Sequence, residues 1–392
     1  LGARAGAIMG VGAPMDVGAH GQSGSAYAFR RTGVAWSAGT MLPTELEQDG
    51  DRQGYSVDFD GRWAVVGCPG RSSLQGAVRP IEWTGSGWDS GGGVTLTSGA
   101  VAGDRLGLAV AVAGNTLLAS APTDSYDPFT DAGSVLAYRW DGATWVYDDK
   151  MYCPEARDGG TFGGSIDLDD SGTPAIVGWP WYDATPGDGT YAGRAYVFSA
   201  PMGDWGLAQT IANPNPDSPD GEHFGWDVGL DDQVAVIGGF WDDSHVGAAY
   251  AFLGRNGTYT QQQKFTVTDE PLMTLYFGRS VAIDNGTIAI GADGAYSPTV
   301  DDCGAAFIYN ANATITGICR DAMTGLPVSG VEVQLHYRDS WGDPSPASDF
   351  VLSGADGRYT IKAPSAQYWM NWLGGTAYQP GWYNDVELWP EA

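Results

Sequence analysis

A short segment that ends in small residues recurs six times through most of this chain. The copies read AIMGVGAP, AVVGCP, LLASAP, AIVGWP, VAVIGGF and IAIGAD, and their central small residues are Gly12, Gly67, Ser120, Gly178, Gly238 and Gly291. Successive copies lie 53 to 60 residues apart. A period near 50 residues is typical of a propeller blade with four strands rather than of a helical solenoid. The repeat therefore predicts a β-propeller.

Each repeat contains further segments that alternate small or apolar residues with others, as β-strands do. Segments that open the later repeats read GYSVDF, LGLAVAV, FGGSIDL, FGWDVGL and FGRSVAI, and the third strands read GSAYAF, GAVRPIEW, GSVLAYRW, GRAYVF, GAAYAF and GAAFIY. Asp-Gly and Asn-Gly pairs between strands favour tight turns. We expect an all-β fold with six or seven blades, each of four antiparallel strands.

These motifs resemble the FG-GAP repeat family of β-propellers, found in integrin α-subunits. Phe162-Gly163, Phe224-Gly225 and Phe277-Gly278 match the Phe-Gly element on the first strand, and Gly12-Ala13-Pro14 matches the element after the second strand. The resemblance implies a propeller over residues 1–311. A fold of this kind does not by itself fix an activity.

A different pattern begins near Asn312. Asp321 to Val328, Gly330 to Val333 and Asp356 to Tyr359 resemble the carboxypeptidase regulatory-like, transthyretin-like domain. The resemblance implies a C-terminal β-sandwich over residues 312–392, a module that usually serves as a stalk or accessory domain. Five tryptophans in this region suit either an exposed interface or ordinary core and rim packing: Trp341, Trp369, Trp372, Trp382 and Trp389.

Charge and hydropathy argue against nucleic-acid binding and against a membrane-spanning segment. The 392 residues include 19 Lys plus Arg and 47 Asp plus Glu, for a net charge of −28. Such an acidic chain is not expected to bind nucleic acid. No run of eighteen apolar residues occurs, so we expect no membrane span.

Four cysteines and the first residue bear on location. The even number fits two disulfides in a secreted protein, although free thiols remain an alternative. Cys303 and Cys319 flank the domain junction and could form one bridge there. Cys68 and Cys153 are expected on one propeller face, where they could form the second. The chain opens on Leu1, which suggests processing. We expect an extracellular location, secreted or at the cell surface.

Carboxylates concentrate in the loops after the second strands. Hard cations such as Ca²⁺ take several oxygen ligands from loops of this kind. The resemblance also implies Ca²⁺, because integrin-type blades bind it, but the D-x-[DN]-x-[DN]-G spacing is absent here. A solvated acidic face is the alternative. The candidate ligands are Asp124, Asp127, Asp131, Asp183, Asp188, Asp242, Asp243, Asp293, Asp301 and Asp302.

Tryptophans beside these carboxylates predict a second kind of site. Trp179, Trp181 and Trp241 lie in or near the acidic loops, and exposed indoles beside carboxylates are typical of sugar-binding sites. The alternative is that these rings fill space between blades.

Signals for catalysis are poor. The four histidines lie in different units, and neither an H-E-x-x-H nor a G-x-S-x-G motif occurs. Two carboxylates suffice for a glycosidase, so a secreted hydrolase is the least favoured class rather than an excluded one. We expect no enzyme activity.

The first and sixth repeats are each one strand short. Few residues precede the first copy for a first strand, and Asn310 leads directly into the second domain, which leaves no fourth strand for the sixth copy. Either other residues close the ring, or a neighbouring chain supplies a strand and builds a filament. We expect a secreted structural or adhesive protein that associates with itself or with other proteins, with a glycan-binding surface module as the alternative.

Overall fold

The computed structural model describes most of the propeller and parts of the C-terminal region. Its described residues are 8–17, 21–32, 35–43, 48–89, 95–183, 190–201, 203–215, 221–255, 257–267, 275–295, 304–310, 312–320, 324, 326–338, 344–346, 351–356, 358–364, 367–373 and 381–387. Six antiparallel sheets follow one another along the chain, one for each repeat. The prediction of an all-β propeller with six blades is confirmed.

The first three blades contain twelve strands and one short helix. Blade 1 has β1 (Ile8–Ala13), β2 (Ser25–Thr32), β3 (Ala35–Trp36) and β4 (Thr40–Met41). Blade 2 has β5 (Val57–Phe59), β6 (Trp63–Gly67), α1 (Arg71–Leu74), β7 (Val78–Trp83) and β8 (Trp88–Asp89). Blade 3 has β9 (Val110–Ala113), β10 (Thr116–Ala121), β11 (Ser134–Trp140) and β12 (Trp145–Tyr152).

The last three blades follow the same order. Blade 4 has β13 (Ser165–Leu168), β14 (Ala175–Trp179), β15 (Arg194–Ser199) and β16 (Gly206–Ala212). Blade 5 has β17 (Val228–Asp231), β18 (Val234–Gly239), α2 (Asp242–His245), β19 (Ala248–Arg255) and β20 (Thr258–Phe265). Blade 6 has β21 (Phe277–Asp284), β22 (Thr287–Ala292) and β23 (Ala305–Asn310). Among the described residues, no strand pairs with the outer side of β23.

The hydrophobic core lies between blades rather than inside them. Five clusters of buried residues each combine side chains of two consecutive blades. Phe162, Phe224 and Phe277 of the Phe-Gly pairs are fully buried in these clusters. Burying an aromatic side chain contributes about 2–3 kcal/mol, so each of these blades stabilises its neighbour through the ring of its Phe-Gly pair.

The residue before each Phe-Gly position adopts a left-handed backbone. Arg52, Arg105, Thr161, His223 and Tyr276 all have φ between 51° and 58°. This backbone costs a non-glycine residue about 1 kcal/mol, and hydrogen bonds to the preceding blade offset the cost. In blade 6, for example, Tyr276 and Phe277 donate their amides to the carbonyls of His245 and Val246 at 3.2 and 3.0 Å.

In most blades, the glycine at the Phe-Gly position touches a glycine of the preceding blade. In four of the five interfaces, a Cβ on the central glycine of the second strand would overlap the carbonyl oxygen of the next blade's Phe-Gly glycine. Blade 3 carries Ser120 at this position, and its hydroxyl accepts the Ala109 amide at 2.8 Å. The pairs are Gly12 with Gly54, Gly67 with Gly107, Gly178 with Gly225, and Gly238 with Gly278.

Carboxylates on the inner strands bridge neighbouring blades near the axis. Asp58 and Asp167 accept the amides of Val112 and Leu230, each at 2.7 Å. Asp227 accepts the Val281 amide at 2.8 Å. Burial raises the pKa of Asp227 to about 6, because it outweighs the amides of Val281 and Val228 that favour the ionised carboxyl.

We expect Asp227→Asn to stabilise the protein at neutral pH. The folded chain holds the Asp227 proton more tightly than the unfolded chain does, so ionisation between pH 3.8 and 6 lowers stability as the pH rises. Asn keeps the oxygen that accepts the Val281 amide. The free energy of unfolding should rise by about 1 kcal/mol at pH 7, discounted because the carboxyl is partly open to solvent, and should be unchanged near pH 4. Urea unfolding at both pH values measures this, and a less stable variant at pH 7 would contradict it.

The cysteine pairing predicted for the propeller is wrong. Cys68 and Cys153 are free, buried thiols. Cys68 lies in the cluster between blades 1 and 2, whereas Cys153 lies in the cluster between blades 3 and 4. Burial raises the pKa of each thiol to about 12. Cys319 is also a free thiol, and Cys303 lies outside the described residues.

The C-terminal region contains two further sheets among its described residues. One pairs β24 (Asn312–Ile318) with β28 (Arg358–Pro364). The other combines β25 (Glu332–Arg338), β26 (Pro344–Pro346), β27 (Val351–Leu352), β29 (Gln367–Leu373) and β30 (Gly381–Glu387). A β-sandwich over residues 312–392 stays a prediction.

Candidate functional site

Aromatic rings from blades 4, 5 and 6 meet on the propeller face that carries the loops after the second strands. Two parts of each blade supply them: the loop that follows the second strand and the segment that leads into the first strand. We call this group the aromatic surface. Its members are Trp181, Tyr191, His223, Trp226, Phe240, Trp241, His245 and Tyr276.

His223 lies at the centre of the aromatic surface. Its left-handed backbone and the hydrogen bond from its amide to the Tyr191 carbonyl, at 2.9 Å, fix the side chain beneath the loops. The imidazole stands nearly perpendicular to Trp181 and to Trp241, with ring centroids 4.7 and 4.6 Å away. Tilted contacts with Tyr191 and Phe240 surround it further.

Burial keeps the imidazole of His223 neutral. The side chain is 1% exposed, and neither ring nitrogen has a hydrogen-bond partner of good geometry among the described residues. Burial lowers the pKa of His223 to about 4, although the nearby Pro180 carbonyl favours the protonated form. The ring therefore acts at neutral pH as an uncharged aromatic support for the two tryptophans.

The outer part of the aromatic surface faces solvent. Trp181 is 42% exposed and Tyr191 is 37% exposed, and their rings meet edge to face at 5.4 Å. Arg279 lies close to the rings of Trp226 and Tyr276 and pairs with Asp293 at 3.2 Å. An exposed pair of aromatic rings on a packed base is the kind of group that interface hot spots use.

One of the three predicted sugar-stacking tryptophans is in the core instead. Trp179 is the last residue of β14, is fully buried, and donates its indole N–H to the Gly160 carbonyl. Arg157 lies over the same ring at 4.7 Å. The prediction that Trp179 binds a ligand is therefore wrong, because alternation along the strand turns this ring into the space between blades. Trp181 and Trp241 lie in the loops, as predicted.

Two of the predicted metal ligands are neutralised by lysines at equivalent positions. Asp124 accepts the Ser134 hydroxyl at 2.6 Å and pairs with Lys150 at 2.8 Å. Asp242 pairs with Lys264 at 3.1 Å and also accepts the Tyr250 hydroxyl. Both carboxylates are buried. The ammonium groups already supply the positive charge that a cation would bring to these oxygens.

The other predicted ligands lie in different surroundings. Asp127 and Asp131 are exposed, Asp183 is buried, and Asp293 pairs with Arg279. Among the residues that the structure describes, no three His, Cys, Asp or Glu side chains are grouped closely enough to hold a metal ion. Ca²⁺ binding stays a prediction. Asp188, Asp301 and Asp302, and the side chain of Asp243, lie outside the described residues.

Two features of this face were missed in the sequence. His223 gave no signal by itself, because its role depends on a backbone conformation and on rings from three blades. The lysines did leave a signal: of the three in the chain, Lys150 and Lys264 occupy the same position in blades 3 and 5, pairing with Leu136 and Tyr250 of the third strands. Alignment of the repeats with one another would have shown this.

Comparison with protein families identifies one repeat family in this chain. Residues 205–252 and 259–309 match the FG-GAP repeat family, each match running from the outer strand of one blade through the third strand of the next. No curated protein matches the sequence. Among solved structures, the crystal structure of the RRP9 WD40 repeats aligns with a TM-score of 0.43 and 10% identity, over 73% of this chain and 70% of that chain.

Among the described residues, no helix is long and apolar enough to cross a membrane. FG-GAP repeats are typical of extracellular proteins, and propellers built from them commonly mediate protein–protein interactions. Residues 205–309 of this chain therefore carry FG-GAP repeats within a six-bladed β-propeller.

Proposed function

We propose that this chain is a secreted, non-catalytic structural or adhesive protein that acts outside the cell through protein–protein assembly. The observation that carries the proposal is the exposed pair of Trp181 and Tyr191, held over the buried ring of His223. Tyr and Trp present large contact areas at a low cost in conformational entropy. A rigid aromatic surface of this kind gains binding energy on contact without first having to become ordered.

Strand exchange between copies is the mode of assembly that the sixth blade supports. β23 pairs with β22 on one side, and no described strand covers its other side. Ile308 of this strand is 66% exposed. An unpaired strand edge with an apolar residue favours the addition of a strand from another chain. Repeated from copy to copy, such pairing would build a filament.

Ca²⁺ belongs to this proposal at the loop carboxylates that face solvent. Asp127 and Asp131 are exposed and lie four residues apart in the loop after β10. Asp293 is exposed too, but it already pairs with Arg279. Oxygen ligands on an exposed loop suit a hard cation better than carboxylates already paired with lysine. A metal at this place would hold the loop in one conformation for contact with a partner.

Glycan binding at the aromatic surface is the alternative function. Trp181 and Trp241 both stand at right angles to His223, and Trp181 offers its indole to solvent. Stacking of a sugar on such a ring needs no covalent chemistry and no metal. A catalytic role as a hydrolase has no comparable support among these contacts.

We expect Trp181→Ala to weaken assembly by at least about tenfold while the fold survives. Loss of the ring removes exposed contact area, whereas the buried core is untouched. The matched control is Trp36→Ala, which removes a 47% exposed tryptophan from β3 of blade 1. Sedimentation velocity over a range of concentrations measures the association constant of each protein.

Cryo-electron microscopy of the native material, with and without a calcium chelator, tests assembly and metal dependence together. Filaments that exchange strands at β23 are expected, and their loss on chelation would support a role for Ca²⁺. Discrete particles at every concentration, with unchanged sedimentation of Trp181→Ala, would contradict self-assembly. Retention of wild type but not Trp181→Ala on immobilised glycans would favour the alternative.

A further inference from the structure

A cavity of about 410 Å³ lies between blades 4 and 5, on the face opposite the aromatic surface. It is bordered by the turn between β13 and β14, the turn between β17 and β18, and the hairpin between β19 and β20. The aromatic surface is built from the loops at the other ends of these strands. The volume is in the range of about 300–1,000 Å³ that is typical of small-molecule sites.

The wall of this cavity is braced across the two blades. Gln209 of β16 donates its amide to the Tyr259 carbonyl at 2.8 Å and accepts the Tyr259 amide at 2.6 Å. This reciprocal pair holds the outer strand of blade 4 against the hairpin of blade 5. A cavity whose walls are fixed before binding loses little entropy when a ligand enters.

Gly254 allows a tyrosine ring to form the floor of the cavity. A Cβ at Gly254 would lie 2.8 Å from two ring atoms of Tyr259, so the ring packs directly over the Gly254 backbone. The Gly254 amide donates to the Gln233 carbonyl at 2.6 Å, which ties the hairpin to the turn on the other side of the cavity. Tyr259 is 6% exposed and therefore rigid.

The lining offers charges of both signs together with neutral polar groups. The residues that line it include Asp232 and Arg255, of opposite charge, and the neutral polar residue Gln233. Val197, Ala208 and Pro174 supply apolar surface. A ligand of one charge would meet a group of like charge here. A ligand with many hydroxyls, each able to donate and accept, and with apolar C–H faces satisfies every part of this lining.

Two residues that line the cavity belong to or adjoin a glycosylation sequon in the sequence. Asn256-Gly257-Thr258 has the N-x-[ST] pattern, and its neighbour Arg255 and its own Gly257 both line the cavity. A sugar could therefore come from a free glycan or from a glycan attached to this chain. Both sources would present a sugar ring with the same hydroxyl groups to the cavity.

We propose that the cavity between blades 4 and 5 is a carbohydrate subsite that binds one sugar ring between Asp232, Gln233 and Arg255, over the floor of Tyr259. This site is independent of the aromatic surface and of the proposed assembly function. It gives the protein a sugar-binding site on the face opposite the one that we propose for protein partners.

Saturation-transfer NMR on the full chain, produced in a host without N-glycosylation, tests the proposal. The probes are glucose, galactose, mannose and N-acetylglucosamine. We expect ring-proton signals from at least one of them, reduced at least fivefold in Asp232→Asn and in Gln233→Ala. Both residues are exposed turn residues, and Asn tolerates the left-handed backbone of Asp232. Thermal unfolding checks that each variant is folded.

The following outcomes decide which site binds the sugar and where the sugar comes from. No signal from any probe, or signals unchanged in both variants, would overturn the proposal. Loss of the signal in Trp181→Ala with retention in Asp232→Asn would move the sugar to the aromatic surface and would also overturn it. Mass mapping of the Asn256 peptide from native material separates the sources: an attached hexose supports the covalent one, and an unmodified peptide supports a free glycan.

Discussion

Gly178→Ala should destabilise the propeller by about 3 kcal/mol or more. The new methyl group would overlap the carbonyl oxygen of Gly225 in blade 5. The hydroxyl of Ser165 occupies the same space and donates to that carbonyl at 3.1 Å. The Ser165 hydroxyl can rotate away, but the Gly225 carbonyl belongs to the backbone and cannot, so the two blades must separate. Equilibrium unfolding in urea measures the loss.

Gly206→Ala is the matched control for this substitution. Gly206 begins β16 in the same blade, and a Cβ there would meet nothing within 4 Å. Its stability should stay within about 0.5 kcal/mol of the wild type. Equal effects of the two substitutions would show that the contact between Gly178 and Gly225 does not control the spacing of the blades.

His223→Phe should remove a loss of stability that the wild type suffers in acid. The folded chain keeps the pKa of His223 at about 4, below its ordinary value of 6.5. Between these values the unfolded chain binds a proton that the folded chain rejects, so stability falls as the pH drops from 6.5 to 4. The shift corresponds to about 3 kcal/mol. Phenylalanine preserves the ring contacts with Trp181 and Trp241.

The test of this prediction is a difference between two proteins, because Asp227 changes stability in the opposite direction over part of the same range. Urea unfolding of wild type and His223→Phe at pH 7, 6, 5 and 4 gives the free energy of unfolding of each. The free energy of unfolding of the variant, relative to that of the wild type, should rise by about 3 kcal/mol between pH 7 and pH 4. If the free energy of unfolding changed equally with pH in both proteins, the result would contradict a buried, neutral imidazole.

The sequence was most informative where one residue type satisfies one local requirement. Gly178 and Gly238 stand where a neighbouring blade leaves no room for a side chain, and Phe224 stands where a ring fills the space between blades. Such requirements repeat in every blade, so the period reveals them. Blade number and the three strands of blade 6 were predictable for this reason.

The candidate site was predictable only in part. Trp181 follows a strand and Trp179 ends it, a difference of two residues that decides between solvent and core. The strand boundary was not visible in the sequence. Cys68 follows the second strand of blade 2 and Cys153 follows the fourth strand of blade 3, which predicts one face for both. They belong to different blade interfaces, so a shared face did not bring them together.

The close contact between each Phe-Gly pair and the preceding blade has a consequence for folding during protein synthesis. A ribosome delivers the repeats in order, and blade 4 has completed neither its contact at Gly178 nor its core cluster until Phe224 and Gly225 have emerged. Each blade should therefore finish folding only after the opening residues of the next blade have been synthesised. A fragment cut at a sheet boundary would retain this unfinished state, whereas one cut after the next Phe-Gly pair would carry the residues that complete its last blade.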